Sequence, residues 1–467
     1  MIKTKIICTL GPATESYEKL FQLYKAGMNV IRLNMSHGDH NWHESIIKKI
    51  KTLNKKVEFP ISILMDTQGP EIRTGYLADD LNLRTGNIVS ISVRGASNVE
   101  ETSIHVDYDD LIKAVKVGDK ITVDNGLLNF EILEKQKYTM TCKVLDGGIL
   151  KSKRHVNLPG IRINLPAITP KDQRDILFGV ANGVDFIALS FVREAADVLE
   201  LKKLLGKKKD KIKIISKIED QQGVKNIEEI IKVSDGIMVA RGDLGVEIEI
   251  EELPNIQRQI VRLCSEYGKR VIVATHMLES MINNPIPTRA EVTDVANAIY
   301  EQADAIMLSG ETTIGQYPVK CVEQLVKIAT ATESKHGLQF HKNLIKETDK
   351  QYLSLAATEL ADALQVKGII VITRRGIMAD YITNCRPISA SIYAFTNVSQ
   401  ARRTMGLNRG VDPFRINFSD DPEKTLQKAF KILKDRKKMQ SGEKVVVISD
   451  VFAGTSKIDA IQIRSIP

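Results

Sequence analysis

The sequence predicts a (β/α)8 TIM barrel, with an all-β domain inserted after the third strand and a C-terminal α/β domain. Three observations carry that prediction. Eight short apolar runs recur along the first two thirds of the 467 residues, amphipathic stretches of helical spacing separate most of them, and one gap is far longer than the rest. The runs are KIICTL (5–10), NVIRLN (29–34), ISILMD (61–66), FIALSF (186–191), KIISKI (213–218), GIMVAR (236–241), VIVATH (271–276) and AIMLSG (305–310). Their apolarity is continuous rather than alternating, which suits strands of a parallel sheet buried on both faces. With Ile6, Ile31, Ile63, Ile187, Ile214, Ile237, Ile272 and Ile306 as markers, the steps are 25, 32, 124, 27, 23, 35 and 34 residues. Six steps fit one strand–helix unit each. Eight such units with right-handed crossovers close a barrel of ~250 residues before insertions. An open doubly wound sheet is the rival arrangement.

The connecting stretches ESYEKLFQLYKAG (15–27), EAADVLELKKLLG (194–206) and LPNIQRQIVRLCSEYG (253–268) read as helices, the last stopping at Gly268. The barrel is assigned to residues 1–68 and 166–340. Residues 69–165 form the insert, where NLRTGNIVSISVRG, VKVGDKITVDNGLLNFEIL and YTMTCKVLDGGILKSKRHVNL alternate apolar and polar positions around Gly, Asn and Asp turns. That texture predicts a small β-barrel acting as a lid. Its ends, GPEIRTG and NLPGIRINLPAIT, are rich in Gly and Pro, as hinges often are. Residues 345–467 form the third domain, with YLSLAATELADALQ as a helix and GIIVIT, SIYAFT, FRINF, KVVVIS and AIQIRS as strands. It carries no GxGxxG or Walker sequence.

Composition narrows the class. With 43% hydrophobic and 27% charged residues the chain is ordinary globular material. No apolar run approaches the ~20 residues that cross a bilayer, and MIKTKIICTLGP lacks the apolar centre of a signal peptide. Neither membrane nor export is expected. Five scattered cysteines without a CxxC pair read as free thiols in a reducing compartment, which points to the cytoplasm. The net charge of +8 lies in lysine-rich patches such as KKIK (48–51), KKKD (207–210) and DRKK (435–438). With aromatics at 5% there is no stacking platform among them, so nucleic acid is not the expected partner.

The ends of the eight apolar runs are polar in succession. They carry Thr9; Arg32, Asn34 and Ser36; Asp66 and Thr67; Ser190 and Arg193; Lys217 and Glu219; Arg241, Gly242 and Asp243; Thr275 and His276; Ser309 and Glu311. Polar loops account for any one of these, but not for eight at one end with no counterpart at the other. The C-terminal mouth of a parallel barrel is where its chemistry sits. Residues two apart share a strand face, so Arg32, Asn34 and Ser36 point together, as do Lys217 and Glu219. Adjacent strands bring Glu219 near Asp243. Two carboxylates with open positions suit Mg2+ (or Mn2+), which completes its octahedron with water and substrate oxygens. A plain pair of acids is the simpler reading, and no HExxH or Cys/His cluster offers a zinc site. Asn34, Ser36, Asp66 and Thr67 suit either a monovalent cation or a hydrogen-bond network. Gly242, lacking Cβ, lets an anion reach the backbone where DLGVE opens a short helix.

RLNMSHG (32–38), MDTQGPEIRTG (65–75), SKIED (216–220), MVARGDLGVEI (238–248), ATHMLESM (274–281), NPIPTRAEVTDVANAI (284–299) and MLSGET (307–312) together resemble the pyruvate kinase family. The match runs in order through residues 1–335, and the last third follows in layout. The resemblance implies phosphoryl transfer from phosphoenolpyruvate to ADP, giving pyruvate and ATP in the last step of glycolysis. It implies Mg2+ on Glu219 and Asp243, and K+ on Asn34, Ser36, Asp66 and Thr67. Lys217 would meet the transferring phosphoryl group and the enolate. Arg32 and Arg73 would hold phosphate oxygens. Ala240, Gly242 and Asp243, with the Thr275 hydroxyl, would hold the substrate carboxylate. Asn34, His37 and Arg73 lie on the nucleotide side, and Thr275 and Ser309 lie near the water that protonates the enolate. Glu71 is the residue that accompanies K+ dependence in this family.

Four departures stand out: Gln68 where Lys is frequent, His276 for Gln, Asp220 for Asn and Met35 for Phe. The family also implies a homotetramer and a phosphorylated effector at the third domain. Here the corresponding loop, TRRGIMAD (373–380), is basic but poor in hydroxyls, and SDVFAGTSKID (449–459) departs from the family wording. Two alternatives remain at this point. One is another Mg2+-dependent barrel enzyme of pyruvate or phosphoenolpyruvate, an aldolase or lyase. The other is a metabolite-sensing relative without catalysis.

Overall fold

Each of the eight apolar runs is a strand. In the computed structural model, which describes residues 2–96, 103–161, 165–335, 337–453 and 456–467, they are β1 (Lys5–Thr9), β2 (Val30–Asn34), β3 (Ser62–Asp66), β4 (Phe186–Leu189), β5 (Lys213–Ile218), β6 (Gly236–Ala240), β7 (Arg270–Ala274) and β8 (Ala305–Leu308). All pair in parallel, and β8 meets β1 with Lys5 beside Ala305 to close the barrel. The rival open sheet is excluded. Continuous apolarity has its explanation here, because one set of alternating side chains fills the bore and the other packs under the helices. Ile7, Val30, Leu64, Ala188, Ile215, Met238, Ile272 and Met307 belong to the inner cluster. Ile6, Cys8, Ile31, Leu33, Ile63 and Ile214 belong to the larger outer one. Leu407, from the third domain, joins the inner cluster and plugs its base.

The helices start where local chemistry allows. Ser16 caps Tyr17–Ala26, and Gly27 ends it at φ 127°. Thr169 and Asp172 form a reciprocal capping box on Pro170–Asn182, just after the insert. The helix Leu253–Glu266 ends two residues before Gly268. That glycine has φ +64°, and a Cβ there would lie 2.6 Å from Asn384 Nδ2 of the third domain.

The insert is all-β apart from a one-turn helix, Leu111–Ala114. The expectation for it is a small barrel. Among the described residues its strands pair as a six-stranded sheet and a two-stranded one, Leu81–Leu83 with Gly148–Leu150, and no pairing closes the six into a ring. One apolar cluster, with Ile91, Phe130, Ile132 and Val144 at its centre, still holds the module together. Part of the expected second hinge, residues 162–164, lies outside the described residues.

The third domain orders its strands β11–β10–β9–β12–β13, where β9 is Gly368–Ile372, β10 Ser391–Thr396, β11 Val411–Arg415, β12 Lys444–Ala453 and β13 Ser456–Ser465. The first four are parallel, and β13 returns antiparallel to β12. Two expectations shift. The strand read as FRINF begins three residues earlier, because β11 is an edge strand and tolerates Pro413. Most of SDVFAGTSKID is strand rather than loop, although Gly454 and Thr455 lie outside the described residues. Asp304 ties this domain to the barrel base: its Oδ1 accepts from Arg270 Nη1 at 3.0 Å and Arg386 Nη1 at 2.6 Å.

Candidate active site

The polar mouth follows from the packing of the bore. One step of two residues beyond the inner layer leads from Ile7 to Thr9, Val30 to Arg32, Leu64 to Asp66, Ala188 to Ser190, Ile215 to Lys217 and Met307 to Ser309. Each keeps the inward face of its strand and ends in a polar atom at the C-terminal rim. Most of these side chains then engage one another. Arg32 Nε meets Asp66 Oδ2 at 2.5 Å, and Lys217 Nζ meets Asp66 Oδ1 at 3.2 Å, Glu219 Oε1 at 2.9 Å and Ser190 Oγ at 2.7 Å. Glu219 Oε2 accepts the Phe191 N–H at 2.7 Å.

Burial makes this cluster electrostatically forceful. Lys217 and Glu219 are 8% and 1% exposed, and Asp66 is fully buried. Burial opposes the charge on Lys217, but Asp66 and Glu219 outweigh it and hold the ammonium above its usual range. Burial likewise opposes the Asp66 carboxylate, and Arg32 and Lys217 pull its pKa below normal. Glu219 is different. Burial pushes it up to about 7 against the pull of Lys217, and the negative charge of Asp243 adds to the rise.

Asp243 stands in the seven-residue helix Arg241–Glu247 that follows β6. The neighbouring Gly242 N–H donates to Thr275 Oγ1 at 2.8 Å, and that hydroxyl donates to Ala274 O at 2.7 Å. Thr275 and His276 both sit in the left-handed region, at φ 68° and 53°. Neither is glycine, so the turn after β7 is strained, as turns at reactive sites often are. It is pinned by Arg241, which donates to Ala274 O, to Thr275 O at 2.6 Å and to Asp294 Oδ1 at 2.8 Å. After β8, Ser309 N–H donates to Glu311 Oε2 at 2.7 Å, while Ser309 Oγ is buried with no hydrogen-bond partner among the described residues.

With this mouth in place, comparison with known proteins becomes decisive. The family model "Pyruvate kinase, barrel domain" matches residues 1–322, and "Pyruvate kinase, alpha/beta domain" matches residues 351–463. The chain belongs to the pyruvate kinase family. It is similar to plastidial pyruvate kinase 3 of Arabidopsis thaliana, 43% identical over 450 residues that cover 96% of this chain and 78% of that protein. Pyruvate kinase of Staphylococcus saprophyticus is 43% identical over 97% of this chain and 78% of its own length. That of Staphylococcus aureus is 41% identical with the same coverage. As a pyruvate kinase, this protein is a phosphotransferase.

The acidic residues of this pyruvate kinase fit a hard divalent cation. Burial pushes the Glu219 carboxylate toward protonation and the charge of Asp243 adds to that push, so a cation held by the two would relieve it. Among the described residues no group of three His, Cys, Asp or Glu side chains is placed to chelate an ion. Two protein carboxylates leave most of an octahedron to substrate and water, the habit of Mg2+ rather than of a protein-caged metal. Of the residues expected to hold a monovalent ion, Asn34 pairs in register with Asp66. Asn34 Oδ1 accepts the Ser36 N–H at 3.1 Å, and Thr67 Oγ1 accepts the Ser190 N–H at 3.0 Å.

Other expected residues stand apart. His37 is exposed on the turn after β2, and its carbonyl is held by His43 Nε2 at 2.9 Å. Arg73 lies at the root of the insert with its guanidinium engaged by Glu71 Oε2 at 2.6 and 2.8 Å and by Lys153 O at 2.9 Å. Glu71 also accepts from Gln68 Nε2 at 3.3 Å, so the departure at 68 joins the Arg73 network. Sequence reasoning gave Ser190 no role and missed two further residues, His155 and Glu247. Ser190 positions Lys217, and its only signal was its place in the inward row. His155, paired in a bridge with Arg73, brings Nδ1 to 3.7 Å from Asp243 Oδ1. Glu247 accepts from Asn157 Nδ2 at 2.9 Å, and burial pushes its carboxyl up to about 7. Both of the latter reach the mouth through contacts between insert and barrel that no local pattern reveals.

Proposed function

We propose that this enzyme transfers the phosphoryl group of phosphoenolpyruvate to ADP, giving pyruvate and ATP, the last step of glycolysis. One observation carries the reading. A charged lysine is buried among Asp66, Glu219 and Ser190 at the mouth of the barrel, within the field of a third carboxylate, Asp243. Phosphoryl transfer needs positioned positive charge where phosphate and enolate oxygens gather charge, and little else from the protein. Lys217 supplies it at a fixed point, and Arg32, locked by Asp66, supplies the second donor for phosphate oxygens.

The substrate carboxylate would lie against the backbone of Ala240, Gly242 and Asp243, taking over the Gly242 N–H that Thr275 Oγ1 now accepts. Glu219 and Asp243 would hold Mg2+ (or Mn2+), which supplies charge neutralisation to the substrate oxygens when bound. Asn34, Ser36, Asp66 and Thr67 would hold K+. Asn34, His37 and Arg73 would face the nucleotide, and Arg73 must turn from Glu71 to touch a phosphate. Ser309 and Thr275 would order the water that protonates the enolate.

The remaining assignments are proposals of the same reading. The segment after β9 borders a cavity of about 730 Å3 lined by Thr373, Arg374, Arg375, Ser419 and Thr425, and a phosphorylated effector is proposed there. A homotetramer is proposed from the family resemblance, and a cytoplasmic setting from the five free, buried cysteines. No helix among the described residues is long and apolar enough to cross a membrane. Pyruvate formation from phosphoenolpyruvate and ADP, with Mg2+ and K+ omitted in turn, tests the reading. Loss of rate on each omission is expected. Undiminished turnover without K+ or Na+ would remove the K+ assignment, and no turnover under any condition would remove the function.

A further inference from the structure

At the end of the barrel away from the mouth, three parts of the chain surround a cavity of about 340 Å3. They are the residues before β1, the segment after the helix Pro318–Thr332, and the third domain. The wall carries Lys3, Lys335, Lys342, Arg386 and Arg409 against a single carboxylate, Glu333. That carboxylate is already engaged. Its Oε1 accepts from Thr4 N and Thr4 Oγ1 at 2.6 and 2.7 Å, and its Oε2 accepts from Lys3 N at 2.7 Å.

The arginines are left short of partners. The Arg409 side chain is only 8% exposed, meets Glu333 at 3.8 Å, and has an Nε without a hydrogen-bond partner among the described residues. Arg386 is 2% exposed; its Nη1 donates to Asp304 and to Thr383 O, and its Nε is also without a partner. The local field reflects this excess. Burial and Arg386 lower Arg409 to about 10, burial and the cations Arg386, Lys342 and Arg409 lower His341 to about 4, and burial and Arg409 lower Lys3 to about 8. Purely structural arginines at such burial are normally paired, because an unpaired buried guanidinium is costly. Here Arg386 is paired with Asp304 through Nη1 and Arg409 reaches Glu333 only at 3.8 Å, while the Nε of each is unpartnered among the described residues and both border the open space.

We propose that this cavity binds a small oxyanion bearing at least two negative charges, held by Arg386 and Arg409 and flanked by Lys335 and Lys342. A phosphate ester and a polycarboxylate share that chemistry. Both suit guanidinium forks, which hold phosphate and carboxylate through paired N–H bonds. Because the walls come from both barrel and third domain, such a ligand would clasp the two together. The site is separate from the cavity after β9, which has a different set of lining residues.

Hydrogen exchange of the full-length protein, titrated with inorganic phosphate and separately with citrate, tests the proposal. Slower exchange is expected over residues 337–345 and 386–390 with one probe or both, and the effective probe distinguishes phosphate from polycarboxylate. In Arg409→Gln the midpoint should weaken about tenfold or more, while the double variant R374Q/R375Q should leave it unchanged. Should Arg409→Gln fail to fold, K335A/K342A, altered only at exposed side chains, carries the same expectation. No protection by either probe at millimolar concentration, or protection indifferent to these variants, would overturn the proposal.

Discussion

Ser309 has no scaffolding reason to be a serine. Its hydroxyl is buried without a partner among the described residues, so the fold gains nothing from it. Ser309→Ala should therefore leave thermal stability within about 0.5 kcal/mol, because no intramolecular hydrogen bond is lost. It should lower kcat by roughly tenfold to a hundredfold if the hydroxyl orders the protonating water. Melting curves and initial rates on one preparation separate the two effects. A destabilised variant with normal kcat would return Ser309 to structure. At this scale the sequence was informative wherever strand alternation decides direction. Arg32, Asp66 and Lys217 could be assigned to one barrel mouth from their places at strand ends, and Lys217 and Glu219 to one strand face from their spacing. Which of them touch could not, since the Asp66–Lys217 and Asp66–Arg32 pairs join residues 34 or more positions apart. Ser190 had no distinguishing signal, because a serine at a strand end is ordinary until a buried ammonium is found against it.

Among elements, the turn from β6 into the helix Arg241–Glu247 offers the sharpest test. A Cβ built on Gly242 would lie 3.6 Å from Thr275 Oγ1 and 3.7 Å from Thr275 Cγ2, ordinary contact distances, and its φ is not positive. The fold itself therefore tolerates alanine. Gly242→Ala should melt within about 1 kcal/mol of the wild type, yet raise the KM for phosphoenolpyruvate at least about tenfold by filling the carboxylate's place. An unchanged KM would contradict the placement of the substrate. The eight barrel strands were legible because full burial leaves continuous apolar runs. The pairing of the insert was not, since short alternating strands specify their faces but not whether their edges meet. The edge strand β11 was misread for a related reason: Pro413 looks like a breaker until its edge position is known.

For the whole molecule, Asp304 is the fastening between barrel and third domain. Burial opposes its charge, but Arg386 and Arg270 hold its pKa down to about 2. A carboxylate depressed below its usual value of about 4 contributes stability that is complete above pH 4. That contribution, roughly 2 kcal/mol, should be lost as pH falls from about 4 to 2. Asp304→Asn should cost about 3 to 5 kcal/mol at neutral pH, because two buried guanidiniums lose their counter-charge. Denaturant unfolding across that pH range checks both statements, and a variant as stable as wild type would refute them. The cluster escaped the sequence reading because it joins residues 34 and 82 positions apart, on either side of a domain boundary. Assembly was equally illegible, since a single chain does not display its partners.

The barrel mouth as the place of phosphoryl transfer rests most directly on Lys217. The decisive measurement is the rate of pyruvate formation from phosphoenolpyruvate and ADP by Lys217→Met, with substrate binding measured on the same preparation. A fall in kcat of about a thousandfold, near 4 kcal/mol of barrier, with affinity changed only a few-fold is the predicted result. A folded variant that keeps near-normal kcat would contradict it.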